Sequence, residues 1–255
     1  MSAPRSWVLG ESCWGELRQQ PCDLAVLPWG ATEAHNLHLP YGTDIFQAGL
    51  IAEATARIAA TRGARIIVLP TVPYGVNTTQ LDIPLTINMN PSTQMALLHD
   101  VATSLEASGI PKLAILNSHG GNDFRQMIRE LQLRHTIFFC AINWWKCLDP
   151  KEFFVEPGDH AGELETALML HIAPETVLPL SEAGTGSEKK SKLRGFREGW
   201  AWTPRPWTKV SADTGVGNPA AATEESGRRY FEAMTEKVGT FLAELALVDP
   251  DTLYE

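Results

Sequence analysis

Residues 24–44 read LAVLPWGATEAHNLHLPYGTD, and this stretch decides the fold. Its first part, Leu24 to Pro28, is a short apolar run of the kind that forms a strand buried on both faces. Its second part turns polar and carries Glu33, His35, His38 and Asp44. Similar apolar runs recur at Ile66 to Leu69, Leu113 to Leu116 and Ile137 to Ile142. Between them, helical spacing covers Asp44 to Thr61, Thr93 to Ser108 and Asn122 to His135, with Pro91-Ser92 expected at the second helix's N-cap. Parallel neighbours need a crossover, which is usually a helix. The alternation therefore predicts a three-layer α/β/α fold with a mainly parallel central sheet. Two more helices are expected at Glu163 to Ile172 and Thr223 to Ala246.

At 255 residues, 44% of them hydrophobic, the chain fits one domain spanning residues 1–255. Residues 178–218 depart from the pattern, with Gly, Ser and Pro, a Lys189-Lys190 pair, and Trp200, Trp202 and Trp207. A stretch this long without clear elements is expected to be a lid over the site or a subunit interface. The formal net charge of −9 and the lack of a sustained Lys/Arg run exclude nucleic acid as the expected partner. No run is long and apolar enough for a membrane span, and the first residues lack a signal-peptide core, so a cytoplasmic protein is expected. Cys13, Cys22, Cys140 and Cys147 form no Cys-x-x-Cys pair, and reduced, mostly buried thiols are expected.

Open α/β sheets place ligands beyond the carboxyl ends of their strands. There the ligand-like residues gather. After the first strand come Glu33 and His35, two apart and so on one side of an extended segment, with Asp44 at the start of the next helix. After the third comes NSHGGND, with His119 on a turn and Gly120 and Gly121 leaving room for an ion or substrate. In GDHAGELET, His160 and Glu163 lie three apart at a helix start and face the same way, while Glu165 points elsewhere. Imidazole with carboxylate suits Zn, Mn, Fe or Co, with zinc first. Three carboxylates in one pocket call for neutralisation, and two divalent ions with one hydroxide between them balance the charge. His38 reads as an orienting or packing residue. Ser118 lacks a Gly-x-Ser-x-Gly elbow, so His119 is better used as a ligand than as a catalytic base.

Four blocks, LPWGATEAHNLHLPYGTD, PYGVNTTQLDIPLTINMN, LNSHGGND and DHAGELETALML, make the chain resemble the creatininase (creatinine amidohydrolase) family along nearly its whole length. The resemblance implies the creatininase fold. It implies Glu33, Asp44 and His119 on one ion, and His35, the shared Asp44 and a further carboxylate on the other. Creatininase looks to supply that carboxylate two residues beyond the loop histidine, where this chain has Gly121; Glu163 of the HAGE block is expected to take the role. His160 is expected as proton shuttle, with Glu163 beside it as the second catalytic residue. Trp144 or Trp145, with Gly120 and Gly121, is expected against a small-molecule substrate. A homo-oligomer, a hexamer by resemblance, is also implied. Departures are Asn36-Leu37 for the usual Gly-Pro and Pro84-Leu85-Thr86 for the usual PGT.

The expected activity is hydrolysis of an amide C–N bond, in a cyclic amide first, by a hydroxide bridging the two ions. The alternatives are the same dinuclear site acting on a formamide, a peptide or a cyclic ketone, and, more remotely, a non-catalytic binding protein on this fold.

Overall fold

The computed structural model describes residues 5–254. Four strands form one sheet: β1 (Leu24–Trp29), β2 (Ile66–Val68), β3 (Lys112–Asn117) and β4 (Phe138–Asn143). They lie in the order β2-β1-β3-β4, and every pairing is parallel. The crossovers are α1 (Thr43–Thr61), α2 (Pro91–Ala107) and α3 (Arg125–Leu131); α4 (Glu163–Ile172) and α5 (Glu224–Leu247) follow the sheet.

Alternate residues of each strand face opposite layers, and the two cores divide accordingly. Leu24, Val26, Ile66, Val68, Ala114 and Leu116 join a core with residues of α1, α4 and α5. Ala25, Leu27, Ile67, Leu113 and Ile115 join one with residues of α2 and α3. Strands buried on both faces have no polar alternation, which is why β1 and β3 read as continuous apolar runs.

Helix starts differ from expectation in two places. Helix α2 begins at Pro91, whose missing N–H costs nothing at the first position, and Asn90 rather than Ser92 is the N-cap. Helix α3 begins at Arg125, not Asn122, because the Asn122 side chain is spent on Val76, Gln94 and Asn117. The four cysteines are unpaired; three are half-buried, and Cys13 is exposed. No helix among the described residues is long and apolar enough to cross a membrane.

From β1 the chain moves outward to β2, then returns across β1 to place β3 on its other side. This reversal opens a crevice beyond the carboxyl ends of β1 and β3, where such sheets hold ligands. Gly30 closes one wall of it. A Cβ there would lie 2.8 Å from the Asp44 carbonyl group, so only glycine lets the end of β1 meet the first turn of α1.

Candidate metal centre

Beyond Gly30 the chain folds back on itself. Asn36 adopts a left-handed conformation (φ 55°), and His35 and Leu39 pair across the turn. Glu33 and His35 are thereby buried at the end of β1, with Asp44 beside them in α1. From β3, Asn117 clamps the following turn: its carbonyl oxygen accepts from His119 N–H at 3.1 Å, and its amide donates to the His119 carbonyl at 3.0 Å. This delivers the His119 imidazole to Glu33 and Asp44. From α4 comes Glu165, whose carboxylate turns back toward the helix start and accepts from Ala161 N–H.

His119 Nδ1 lies 2.9 Å from Glu33 Oε1 and 3.1 Å from Asp44 Oδ2, and His35 Nε2 lies 3.3 Å from Asp44 Oδ1. Three groups have donor atoms close enough to share an ion: Glu33, Asp44 and His119; His35, Asp44 and Glu165; and Glu33, His35 and His160. Asp44 belongs to the first two.

The outer nitrogen of each histidine fixes its tautomer. His35 Nδ1 donates to the Glu33 carbonyl at 3.1 Å, His119 Nε2 to the Val76 carbonyl at 3.1 Å, and His160 Nε2 to the Ala34 carbonyl at 2.9 Å. A carbonyl only accepts, so those nitrogens carry the protons. In the neutral rings the inner nitrogens are then lone pairs aimed at carboxylates. His35 Nε2 and Asp44 Oδ2 are accordingly buried without any hydrogen-bond partner. Lone pairs facing anions at these distances repel unless positive charge, a proton or a metal ion, lies among them. Histidine ligands whose other N–H is held by a carbonyl are the usual dress of a metal site.

The titration behaviour agrees. Burial opposes ionisation of Glu33 and Asp44, yet the facing histidines hold both carboxyls below their ordinary values. Burial equally opposes charge on His35, but Asp44 outweighs it and lifts the imidazole to about 10. His119 is raised as well, with Glu33 the main opposing influence to burial. For Glu165 burial prevails and pushes the carboxyl up. The pocket thus demands positive charge, and divalent ions fit the donors that surround it.

Glu33, His35, Asp44, His119 and His160 converge as the sequence suggests. Glu163 does not join them. Its carboxylate accepts from Glu156 N–H at 2.7 Å, and Glu165 stands in the cluster instead. The reason is the chain entry into α4: Ala161 is left-handed (φ 51°) and Gly162 is the N-cap, which swings the Glu165 face toward His35. Residues two apart on a helix point nearly opposite ways, so only one of the pair can face the site. His38 bonds Thr166 Oγ1 at 2.9 Å, and burial takes its pKa down to about 4.

Trp144 does not line the site either. It is buried in the core, donates to Ser118 Oγ at 2.9 Å and packs edge-on against Tyr230; Trp145 packs half-buried on the same core. Gly120 faces open space, whereas Gly121 gives clearance to the His119–Val76 bond. Two residues escape the sequence reading. Gln80, fully buried, donates its amide to Glu33 Oε2. Trp207 comes from the 178–218 excursion and packs at a tilt on His160, with ring centroids 4.7 Å apart. The excursion is tied over the site by Asn36, whose side-chain amide donates to the Gly184 carbonyl and accepts from Gly184 N–H, and whose main-chain N–H donates to Thr214 Oγ1.

Residues 10–242 match the family model Creatininase, described as creatinine amidohydrolase. The chain belongs to the creatininase family. A crystal structure from Bacteroides fragilis NCTC 9343, provisionally named a creatinine amidohydrolase, is 43% identical and superposes with a TM-score of 0.90 over 97% of this chain and 98% of that one. The mycofactocin precursor peptide peptidase of Mycobacterium ulcerans (strain Agy99) is 30% identical over 83% of this chain and 81% of its own length. The creatinine amidohydrolase of Pseudomonas putida is 26% identical over 94% and 97%. The family thus includes relatives named for different substrates.

Proposed function

We propose that this creatininase-family chain is a metal-dependent amidohydrolase that cleaves an amide C–N bond at two divalent ions, zinc first. One position is assigned to Glu33, Asp44 and His119. The other is assigned to His35, Glu165 and the shared Asp44, with His160 alongside. The observation that carries this reading is the convergence on the buried carboxylates of three imidazole nitrogens whose ring partners are each held by a main-chain carbonyl. Such donors suit zinc, manganese, iron or cobalt. Solved creatininases of this fold, about 20% identical, include a manganese form and a Zn–Zn form.

When bound, the ions supply an activated water and polarise the scissile carbonyl. The chain's own groups set the geometry. Gln80 occupies one oxygen of Glu33 and leaves the other for the cluster. His160 is committed at Nε2 to Ala34, so it takes up and returns a proton at Nδ1, the atom that faces Glu33 at 3.9 Å. Trp207 covers the His160 ring and keeps water from it.

A cyclic amide and a peptide bond both meet this chemistry, and the peptidase relatives support the second. Incubating zinc- and manganese-loaded protein with lactams, formamides, short peptides and ring ketones decides among them. Turnover of an amide, lost on chelation and restored by metal, is the expected result. Asp44→Ala should lose bound metal and turnover together; a variant that stays metal-replete and active refutes the assignment.

A further inference from the structure

The excursion carries a charge opposite to that of its protein. Residues 178–218 hold seven Lys or Arg and four Asp or Glu, a surplus of three positive charges in a chain whose net charge is −9. Arg194 and Arg197 are spent locally, on Glu198 and on the carbonyls of Ser191 and Lys192. Lys189 pairs its main chain with Val210, which sets the Lys189-Lys190 pair beside the single helical turn Trp207–Val210. Both lysines and Lys209 are exposed. The basic strand of the excursion therefore runs next to the tryptophan that covers His160.

Arg205 reaches furthest toward the site. Its guanidinium lies over the Trp207 ring at 4.8 Å, and Trp207 lies over His160 at 4.7 Å. The three lie in series, the Trp207 ring tilted 52° to the imidazole, with the cation two rings away from the carboxylate cluster. Arg205 also bonds Asp159 Oδ2 at 2.6 Å, the residue before His160, but both side chains are about half exposed. An ion pair so wet contributes little, so a ligand anion displaces Asp159 at small cost. A guanidinium over an aromatic face still offers several N–H groups to a carboxylate, which arginine can bind in bidentate fashion.

We propose that the substrate bears a carboxylate, and that Arg205, beside Trp207 and outside the metal cluster, binds it and so sets specificity. This rests on the amide-hydrolase reading for its scissile bond, not for the anion site. A short peptide whose carboxylate lies two residues or more beyond the cleaved amide is the class that fits, because the Trp207 ring separates the cation from His160. The surplus of lysines draws such an anion toward an otherwise acidic protein, which makes association sensitive to salt.

The test is calorimetric titration of the metal-loaded protein with N-benzoylglycylglycine and with its neutral C-terminal amide. The charged probe should bind roughly tenfold more tightly at low salt. Arg205→Gln should remove that preference, Arg205→Lys should keep part of it, and Asp159→Asn, which frees the guanidinium, should strengthen it. Equal affinity for the two probes, no binding of either, or a preference that survives Arg205→Gln because the carboxylate goes to the ions, overturns the proposal. Hydrolysis of the same two probes is scored separately. A charge preference without cleavage of any amide refutes the hydrolase reading and keeps the anion site; cleavage without preference does the reverse.

Discussion

Replacing Glu165 and Glu163 one at a time, each by Gln, separates the residue that faces the ions from its neighbour. Glu165 contributes a donor atom to the group of His35 and Asp44, so Glu165→Gln puts a neutral amide where one of the cluster's three carboxylates stood. Outer contacts of metal ligands alone are worth 10–100-fold in affinity, so loss of the ligand itself should cost the second position at least ~100-fold. That is about 2.7 kcal/mol of binding free energy. Glu163→Gln keeps an oxygen for the Glu156 N–H, so it should cost only ~1 kcal/mol of stability and leave the metal in place.

Elemental analysis after dialysis against a weak chelator reads the difference. The parent and Glu163→Gln should keep both ions, and Glu165→Gln should keep about half the metal with turnover largely gone. Unfolding offers no escape from that result. Burial raises the Glu165 carboxyl above its value in the unfolded chain. The folded state then binds the extra proton, so stability from this group falls as pH rises past about 4.5, and its ionised form burdens the metal-free fold at neutral pH. Metal-free Glu165→Gln should melt no lower than the metal-free parent. A fully loaded Glu165→Gln, or a demetallated Glu163→Gln, refutes the argument.

Gly121→Ala would place its Cβ 2.4 Å from both His119 Nε2 and the Val76 carbonyl oxygen, displacing the ring; metal affinity should drop ~10–100-fold, while Gly120→Ala, into open space, leaves a competition assay with a chromophoric chelator unchanged. Glu106 is held at about 2, first by its bond to His135 and then by Thr136 and Ile137, from an ordinary 4.5. Its stabilisation is therefore complete above about 4.5 and lost as pH falls toward 2. Glu106→Gln should lower stability by ~1–3 kcal/mol at neutral pH and narrow the gap to the parent in acid, which urea melts at the two pH values measure; a gap independent of pH contradicts this.

The fold was legible wherever a strand is buried on both faces. Leu24–Trp29 and Lys112–Asn117 have no exposed residue, so the sequence has no polar alternation to blur them. Their crossover helices followed from the need to join parallel neighbours. Boundaries were less legible because side chains remote in sequence decide them. Asn122 has the look of a helix start, yet Val76, Gln94 and Asn117 claim its amide, and α3 begins three residues later. Likewise the sequence left residues 178–218 open between lid and interface; the ties of Asn36 to Gly184 and Thr214, of Trp207 N–H to Thr79 and of Val216 to His160 bring Trp207 over His160.

Within the site, legibility tracked distance from a strand end. Glu33, His35 and Asp44 follow β1 closely and His119 follows β3, so the sheet itself positions them. Choosing between Glu163 and Glu165 required one backbone angle, the left-handed Ala161, which composition does not announce in a residue other than glycine or asparagine. Position 121 supplies the complementary constraint. The resemblance to creatininase puts a carboxylate there, but in this chain any side chain at 121 runs into the imidazole of His119 and the Val76 carbonyl. On the proposed two-ion reading the carboxylate for the second position comes from elsewhere, and the first turn of α4 brings Glu165 to His35 and Asp44. Gly121 and Glu165 are in this sense one choice made twice: restoring Glu at 121 should not rescue Glu165→Gln, because it would dislodge His119 from the first position while trying to refill the second.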